Sequence, residues 1–148
     1  KVGNDFVRGV SGGERKRVSI AEAMSCKASV YCWDNATRGL DASTALEYAQ
    51  AVRTQTSLSK SVSFITIYQA GENIYDTFDK VLVLYEGRQV YFGKAEQAKQ
   101  YFIDLGDEWP PRTATAGFLT AVPDPLGRTV RPGFKKSAPR IATDFEQR

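Results

Sequence analysis

Two short apolar segments with a helical pattern between them constrain the fold most. Residues 29–34 (SVYCWD) and 61–67 (SVSFITI) are rich in β-branched and aromatic side chains, which is typical of buried strands. Between them, Asp41 is a good N-cap for a helix over about residues 42–56, whose apolar face consists of Ala45, Leu46, Ala49 and Val52. A strand, a helix and a second strand predict an α/β fold with parallel strands and flanking helices.

The rest of the chain extends this pattern without internal repeats. Glu86-Gly87 is a turn signal between two strand-like runs, so it predicts an antiparallel hairpin, which we place at one edge of the sheet. Gly106 is suited to close an amphipathic helix. The predicted elements are a short helix at 71–79, the hairpin at 80–93, the amphipathic helix at 94–106 and a last helix at 115–122.

Charge and proline content set the domain organisation. The net charge of +3 is too small to favour a nucleic-acid partner. The excess lies in residues 123–148, which hold six basic and three acidic side chains and four of the six prolines. We therefore predict a folded portion over residues 1–122 and an extended linker over residues 123–148. No apolar run approaches the roughly 20 residues of a membrane helix, so we expect that the segment does not span a membrane.

The cysteine and histidine content argues against a direct metal site. The chain has no histidine and two cysteines, Cys26 and Cys32, which form no ligand cluster. We expect both to be buried, reduced thiols. The chain also begins with Lys1 and not with Met, so we expect it to be part of a longer protein.

A serine and two glycines open the first helical pattern, residues 11–26 (SGGERKRVSIAEAMSC). Ser11 and Glu14 form a capping-box pattern, and the apolar positions that follow are Val18, Ala21, Met24 and Ala28. Glycine costs up to about 1 kcal/mol per helix position, so Gly12 and Gly13 require an explanation. A bound phosphate is one explanation, because helix N-termini attract anions, and a plain N-cap is the other. The basic residues 15–17 are suited either to a solvated face or to a phosphate or acidic partner.

No loop that could cradle a nucleotide accompanies this helix start. A dinucleotide-binding fingerprint is absent, and the segment GRQVYFGKA has one residue too many for a Walker A loop and lies on the predicted hairpin. The residues therefore predict one phosphate contact and not a complete nucleotide site.

Polar side chains follow each of the two strands. Asp34 ends the first strand, where either a magnesium-bound water or a structural hydrogen bond would satisfy its carboxylate. Asn35 can orient a water but cannot take its proton, and it is also an ordinary turn residue. Tyr68 follows the second strand and could stack or hydrogen-bond near Asp34, although a core position is the simpler interpretation.

In this order, the motifs resemble those of ATP-binding cassette (ABC) ATPases of the G subfamily, and most closely the first nucleotide-binding domain of fungal pleiotropic drug resistance (PDR) transporters. VSGGERKRVSIAEAM resembles the signature motif, SVYCWDNATRGLD the Walker B strand and D-loop, and ITIYQAGENIYDTFDKVLVLYEGRQVYFG the switch region with the hairpin that follows it. The resemblance covers nearly the whole chain. It implies a partial P-loop NTPase domain that lacks the Walker A part.

The resemblance also implies the roles of individual residues. Ser11, Gly12, Gly13 and Glu14 would contact ATP held by a second nucleotide-binding domain. Asp34 would bind Mg²⁺ through water, and the D-loop would comprise Gly39, Leu40 and Asp41. Asn35 and Tyr68 stand where most ABC proteins have glutamate and histidine, so neither catalytic position is intact.

The implied protein is an ATP-driven exporter of foreign compounds at the cytoplasmic face of a membrane, and we expect this to be the plasma membrane. Its partners would be the second nucleotide-binding domain and the transmembrane domains, to which residues 123–148 would lead. This segment alone would be inactive. Two other functions stay open: a non-catalytic regulatory module that binds ATP, and a soluble ABC ATPase.

Overall fold

The structure, a computed structural model, describes residue 9 and residues 11–68 and 70–134, and it divides the chain into two compact units, Lys1–Tyr68 and Gln69–Arg148. The first unit contains α1 (Gly12–Met24), β1 (Val30–Asp34), α2 (Ala42–Ser59) and β2 (Val62–Thr66). The second contains α3 (Glu72–Tyr75), β3 (Lys80–Tyr85), β4 (Arg88–Lys94), α4 (Ala95–Asp104) and α5 (Thr115–Ala121). The α/β class is confirmed.

The first unit is a parallel strand pair packed against two helices. β1 and β2 pair in parallel from Val30↔Val62 to Asp34↔Thr66, as predicted. Its small core comprises Tyr31, Trp33, Ala36, Tyr48 and Val52. Helix α1 has no fully buried residue and contributes the partly buried Ile20, Ala23 and Met24. The predicted apolar face of α1 was therefore only partly right, because Val18 is 46% exposed, Ala21 is exposed and Ala28 lies beyond the end of the helix.

The prediction that both strands are buried was wrong for one face of the sheet. Tyr31 and Trp33 point into the core, whereas Val30, Val62 and Phe64 are 55%, 51% and 58% exposed. Neighbouring side chains on a strand point to opposite faces of the sheet. Within residues 11–68, helices α1 and α2 cover only one of these two faces. The burial predicted for the two thiols was also wrong, since Cys26 and Cys32 are both free and exposed.

The second unit is an antiparallel hairpin with helices packed against it. Glu86 and Gly87 both have positive φ, 48° and 77°, which is the geometry of a tight two-residue hairpin turn, and β3 pairs with β4 as predicted. Gly106 follows α4 with φ of 95°, a conformation suited to glycine after a helix. The core is formed mainly by Val83, Val90, Ala98, Phe102, Phe118 and Leu119. The two strands form a sheet of their own, and the edge position of the hairpin remains a prediction.

The start of the predicted linker is folded and not extended. Pro123 is fully buried, and Asp107 forms an isolated β-bridge with Val130. The N–H of Glu108 donates to the carbonyl of Thr129, and the N–H of Arg131 donates to that of Gly106. The segment 123–134 thus belongs to the second unit, and residues 135–148 of the predicted linker lie outside the described residues. None of the helices in the described ranges is long and apolar enough to span a bilayer.

Candidate nucleotide-binding segment

The start of α1 is held by a reciprocal pair of hydrogen bonds. The Oγ of Ser11 accepts from the N–H of Glu14 at 3.2 Å, and Oε2 of Glu14 accepts from the N–H of Ser11 at 2.7 Å. The bond from the Ser11 backbone, followed by the one involving its hydroxyl, lowers the pKa of Glu14, so the carboxylate stays ionised at neutral pH. The predicted capping box is confirmed. It gives Glu14 a structural contact, and the predicted contact of Glu14 with ATP stays a prediction.

This cap leaves the two glycine amides bare. Among the described residues, the N–H groups of Gly12 and Gly13 have no hydrogen-bond partner, because the cap occupies only the amides on either side of them. Neither glycine has a positive φ, and a Cβ built at either position would meet no atom within 4 Å. The local chain geometry therefore does not require glycine at these positions. A ligand that approaches the amides closely would require it, since any side chain would stand between the ligand and the backbone.

The turn after β1 is linked to α1 by a hydrogen bond from Lys16. Gly39 adopts a φ of 79°, which favours glycine, and the N–H of Leu40 donates to the carbonyl of Thr37 at 3.1 Å. The ammonium group of Lys16, from α1, donates to the carbonyl of Arg38 in this turn at 2.7 Å. The residue just before the predicted D-loop is thus bound to the helix that carries the two glycines.

Asp41 ends this turn as the N-cap of α2. Its Oδ1 accepts from the Thr44 N–H at 2.9 Å and its Oδ2 from the Thr44 hydroxyl at 2.8 Å. These two bonds, the backbone one first, lower the pKa of Asp41. The N-cap prediction is confirmed. Both carboxylate oxygens are used within the chain, so any contact that Asp41 makes with a partner would be shared with its cap.

Asp34 stands at the carboxyl end of β1, beside the last residue of β2. The hydroxyl of Thr66 donates to Oδ1 of Asp34 at 2.7 Å and accepts from the N–H of Asn35 at 2.8 Å. Asn35 has a φ of 47°, a left-handed conformation that asparagine tolerates better than most residues. The structural hydrogen bond considered for Asp34 is therefore present, and it occupies one of the two carboxylate oxygens.

Tyr68 lies two residues past the end of β2 and is 83% exposed. The core position considered for it was therefore wrong. The high exposure leaves its ring and hydroxyl available, and a role near Asp34 remains a prediction. A groove of about 230 Å³ between α1 and α2, lined by Arg17, Ile20, Met24, Tyr48 and others, includes Leu40 but none of the other predicted site residues.

The oxygen donors at this strand end fit a magnesium ion held mainly through water. Mg²⁺ prefers oxygen ligands, keeps several waters and usually takes only one or two protein carboxylates together with substrate phosphates. Asp34 supplies one exposed carboxylate, and no hydrogen bond to its Oδ2 is found within residues 11–68. No group of three or more potential metal-ligating side chains occurs in the described parts of the chain. The chain could therefore contribute one ligand to a shared ion, but it does not contain a metal cage of its own within those parts.

Two contacts at this site were not predicted from the sequence. Thr66 bridges Asp34 and Asn35, and Lys16 connects α1 to Arg38 in the turn after β1. A signal for Thr66 was available: both predicted strand segments begin with Ser-Val, and aligning SVYCWD with SVSFIT places Thr66 opposite Asp34. Lys16 had no such signal, because three consecutive basic residues do not indicate which of them contacts another segment of the chain.

Comparison with known proteins agrees with these motifs. The family model described as ABC transporter matches residues 1–38. Protein SNQ2 of Saccharomyces cerevisiae is 67% identical over 147 residues, which are 99% of this chain and 10% of that protein. ABC multidrug transporter SNQ2 of Candida glabrata is 66% identical over 148 residues (99% and 10%), and ABC multidrug transporter atrF of Aspergillus flavus is 57% identical over 145 residues (98% and 9%).

The capped glycine pair, the strand-end carboxylate and these matches together define a segment of an ABC transporter with part of its ATPase domain, which implies ATP binding. The chain belongs to the fungal PDR type of this family. It spans about a tenth of the length of the relatives that it matches.

Proposed function

We propose that this chain is part of an ATP-driven exporter of the PDR type at the cytoplasmic face of a membrane, the plasma membrane being the one proposed. Residues 1–122 would form the C-terminal portion of its first nucleotide-binding domain, and residues 123–148 would lead to the transmembrane domain. The rest of this domain, including the Walker A loop, would cover the exposed face of β1 and β2, whose Val30 and Phe64 suit a buried surface.

The observation that carries this proposal is the pair of bare amides at Gly12 and Gly13. In the proposed site, a second nucleotide-binding domain holds ATP in its phosphate loop, and these two N–H groups donate to phosphate oxygens. The Ser11 hydroxyl, which lowers the pKa of Glu14, would have to turn its hydrogen away from that carboxylate to give the phosphate a third donor bond. The positive end of α1 adds electrostatic attraction for the triphosphate. Glu14 would act on this site through the cap.

The chain's own Walker B residues would form a second ATP site that hydrolyses poorly. Asp34 would hold a magnesium-bound water, and the ion would neutralise phosphate charge. Asn35 could orient the attacking water but could not accept its proton, and the loss of a general base typically costs about 10²- to 10⁴-fold in rate. Tyr68 has a phenol at the switch position, where the resemblance implies a histidine in most ABC proteins. The proposed exporter is therefore asymmetric, and its active site is the one completed by Ser11, Gly12 and Gly13.

A regulatory module that binds ATP without turnover is the second candidate. The amide at Asn35 and the phenol at Tyr68 favour it, because neither supplies a base. The two candidates differ in the site completed by the signature motif: the exporter requires turnover there, whereas the module requires only ATP-dependent association of the two domains.

A carboxylate introduced at the helix start tests the proposal. We suggest a chimera in which this chain replaces the matching segment of S. cerevisiae Protein SNQ2, to which it is 67% identical. Gly13→Asp should abolish ATPase activity and efflux, because the new carboxylate would repel the phosphate while still being favourable for the first turn of a helix. Ser19→Asp adds the same charge to an exposed position of α1 and should leave both activities nearly unchanged.

The degenerate site has its own test in the same chimera. Asn35→Ala should retain most of the ATPase activity, whereas removal of the partner domain's catalytic glutamate should abolish it. Normal efflux by Gly13→Asp would refute the phosphate contact. If Asn35→Ala and removal of the partner domain's glutamate reduced the activity equally, the asymmetry would be refuted.

A further inference from the structure

We propose that Thr66 is a positioning residue, which orients the Asp34 carboxylate toward a magnesium-bound water. This inference rests on the proposed function, because it assumes that Asp34 faces magnesium and nucleotide. It goes beyond the motifs, since Thr66 belongs to none of the residues predicted to form the site.

The register of the parallel pair brings the two side chains together. Asp34 and Thr66 are register partners at the carboxyl ends of β1 and β2. Side chains of one strand alternate between faces, so Asp34 lies on the same open face of the sheet as Val30 and Cys32. The hydroxyl therefore meets the carboxylate on the side of the sheet that α2 leaves uncovered.

The hydrogen bonds fix the direction in which the hydroxyl donates. A threonine hydroxyl has one hydrogen and two lone pairs. Since Thr66 Oγ1 accepts the Asn35 N–H at 2.8 Å, its hydrogen is available for Oδ1 of Asp34, 2.7 Å away. Both hydrogen bonds donate in the same direction, from the amide to the hydroxyl and from the hydroxyl to the carboxylate, so each bond strengthens the other. They restrain rotation of the carboxylate and leave Oδ2 to face a ligand.

The same hydroxyl also anchors the backbone at the position of the missing base. Asn35 is held at a φ of 47° by the bond between its N–H and Thr66 and by the turn in which its carbonyl accepts from Arg38 at 3.1 Å. One side chain thus sets both the carboxylate proposed to bind magnesium and the residue proposed to orient water.

The test measures magnesium dependence in the chimera with S. cerevisiae Protein SNQ2. The purified transporter is photolabelled with 8-azido-ATP in the cold at increasing Mg²⁺, and proteolysis separates the half that carries this segment. Thr66→Val keeps the side-chain shape without the hydroxyl, and Thr66→Ser keeps the hydroxyl. Thr56→Val is the matched control, because it removes a hydroxyl that bonds Ser63 in the same unit at 3.0 Å.

Thr66→Val should raise the Mg²⁺ concentration for half-maximal labelling by roughly 10-fold, since loss of a group that orients a metal ligand typically costs about 10- to 100-fold in metal affinity. Thr66→Ser and Thr56→Val should stay close to the unmodified chimera. An unchanged magnesium requirement in Thr66→Val, or an equal shift in Thr66→Ser and Thr66→Val, would overturn the inference while leaving the proposed function intact. Absence of magnesium-dependent labelling in the unmodified chimera would overturn the inference together with the proposed second ATP site.

Discussion

Replacing Gly12 and Gly13 by alanine should stabilise the helix and impair the transporter. In this chain, a Cβ at either position would meet no atom within 4 Å, and neither glycine uses a positive φ. Alanine is favoured over glycine by up to about 1 kcal/mol inside a helix. We take about half of this for each position in the first turn, so the double variant should gain about 1 kcal/mol. This gain corresponds to a roughly fivefold shift of the helix–coil equilibrium.

The stability part of this prediction can be measured on a synthetic peptide of residues 9–27. Helix α1 has 13 residues and no fully buried side chain, and an isolated helix of this length is marginal in water. Circular dichroism with added trifluoroethanol should therefore show higher helicity for Gly12→Ala/Gly13→Ala. The control Ala21→Gly, at an exposed position of the same helix, should lower helicity by a comparable amount.

The activity part should have the opposite sign. In the chimeric transporter, two added methyl groups would keep phosphate oxygens from the bare amides, and each hydrogen bond to a charged group contributes about 1.5–3 kcal/mol. ATPase activity should therefore fall at least tenfold in the double variant and remain near normal in Ala21→Gly. Normal activity in the more helical double variant would refute the reasoning, because the glycines would then serve neither the chain nor a ligand.

Two further predictions concern contacts between segments. Lys16→Met should reduce ATPase activity of the chimera about fivefold by releasing the Arg38 carbonyl just before the proposed D-loop, whereas Lys16→Arg should retain the activity. Equal rates for the two variants would contradict this role of Lys16. Both carboxylate oxygens of Glu72 accept from Thr115 at the start of α5, and the bond from the Thr115 hydroxyl, followed by the backbone bond, lowers the pKa of Glu72. Because the folded pKa lies below the ordinary 4.5, this stabilisation is present at neutral pH and is lost as the pH falls through the lowered pKa. Glu72→Gln should therefore lower the protection of the α5 amides against hydrogen exchange at pH 7 by about 1 kcal/mol. Unchanged protection would contradict the role of Glu72 as a cap of α5.

Local signals in the sequence were sufficient for the starts and ends of most elements. The pattern Ser-x-x-Glu identified the cap of α1, because both partners of the hydrogen bonds lie within one turn. Glu86-Gly87 identified the hairpin turn for the same reason: both central residues need positive φ, and the two residues are adjacent. These features depend on residues close in sequence, so a single sequence contains the necessary information.

Burial was predicted poorly, because it depends on which element covers a surface. The composition of β1 and β2 suits two covered faces, and it does not reveal that only one face is packed among the described residues, with Tyr31 and Trp33 buried and Ile65 partly buried. Cys32 alternates with these two aromatic residues and is therefore exposed with the rest of its face. An apolar run thus predicted the strand correctly and its surroundings incorrectly.

The candidate site likewise contains some features set by residues close in sequence and others set by contacts between distant segments. Ser11, Gly12 and Gly13 lie at the start of one helix, so their pattern suggested the phosphate hypothesis without knowledge of any other segment. Thr66 is 32 residues from Asp34 in sequence, and its importance depends on the register of two strands. A shift of this register by one residue would turn the hydroxyl to the opposite face of the sheet and break both of its hydrogen bonds. The orientation of the proposed magnesium ligand is therefore a property of the strand pairing, which the residues around Asp34 do not encode.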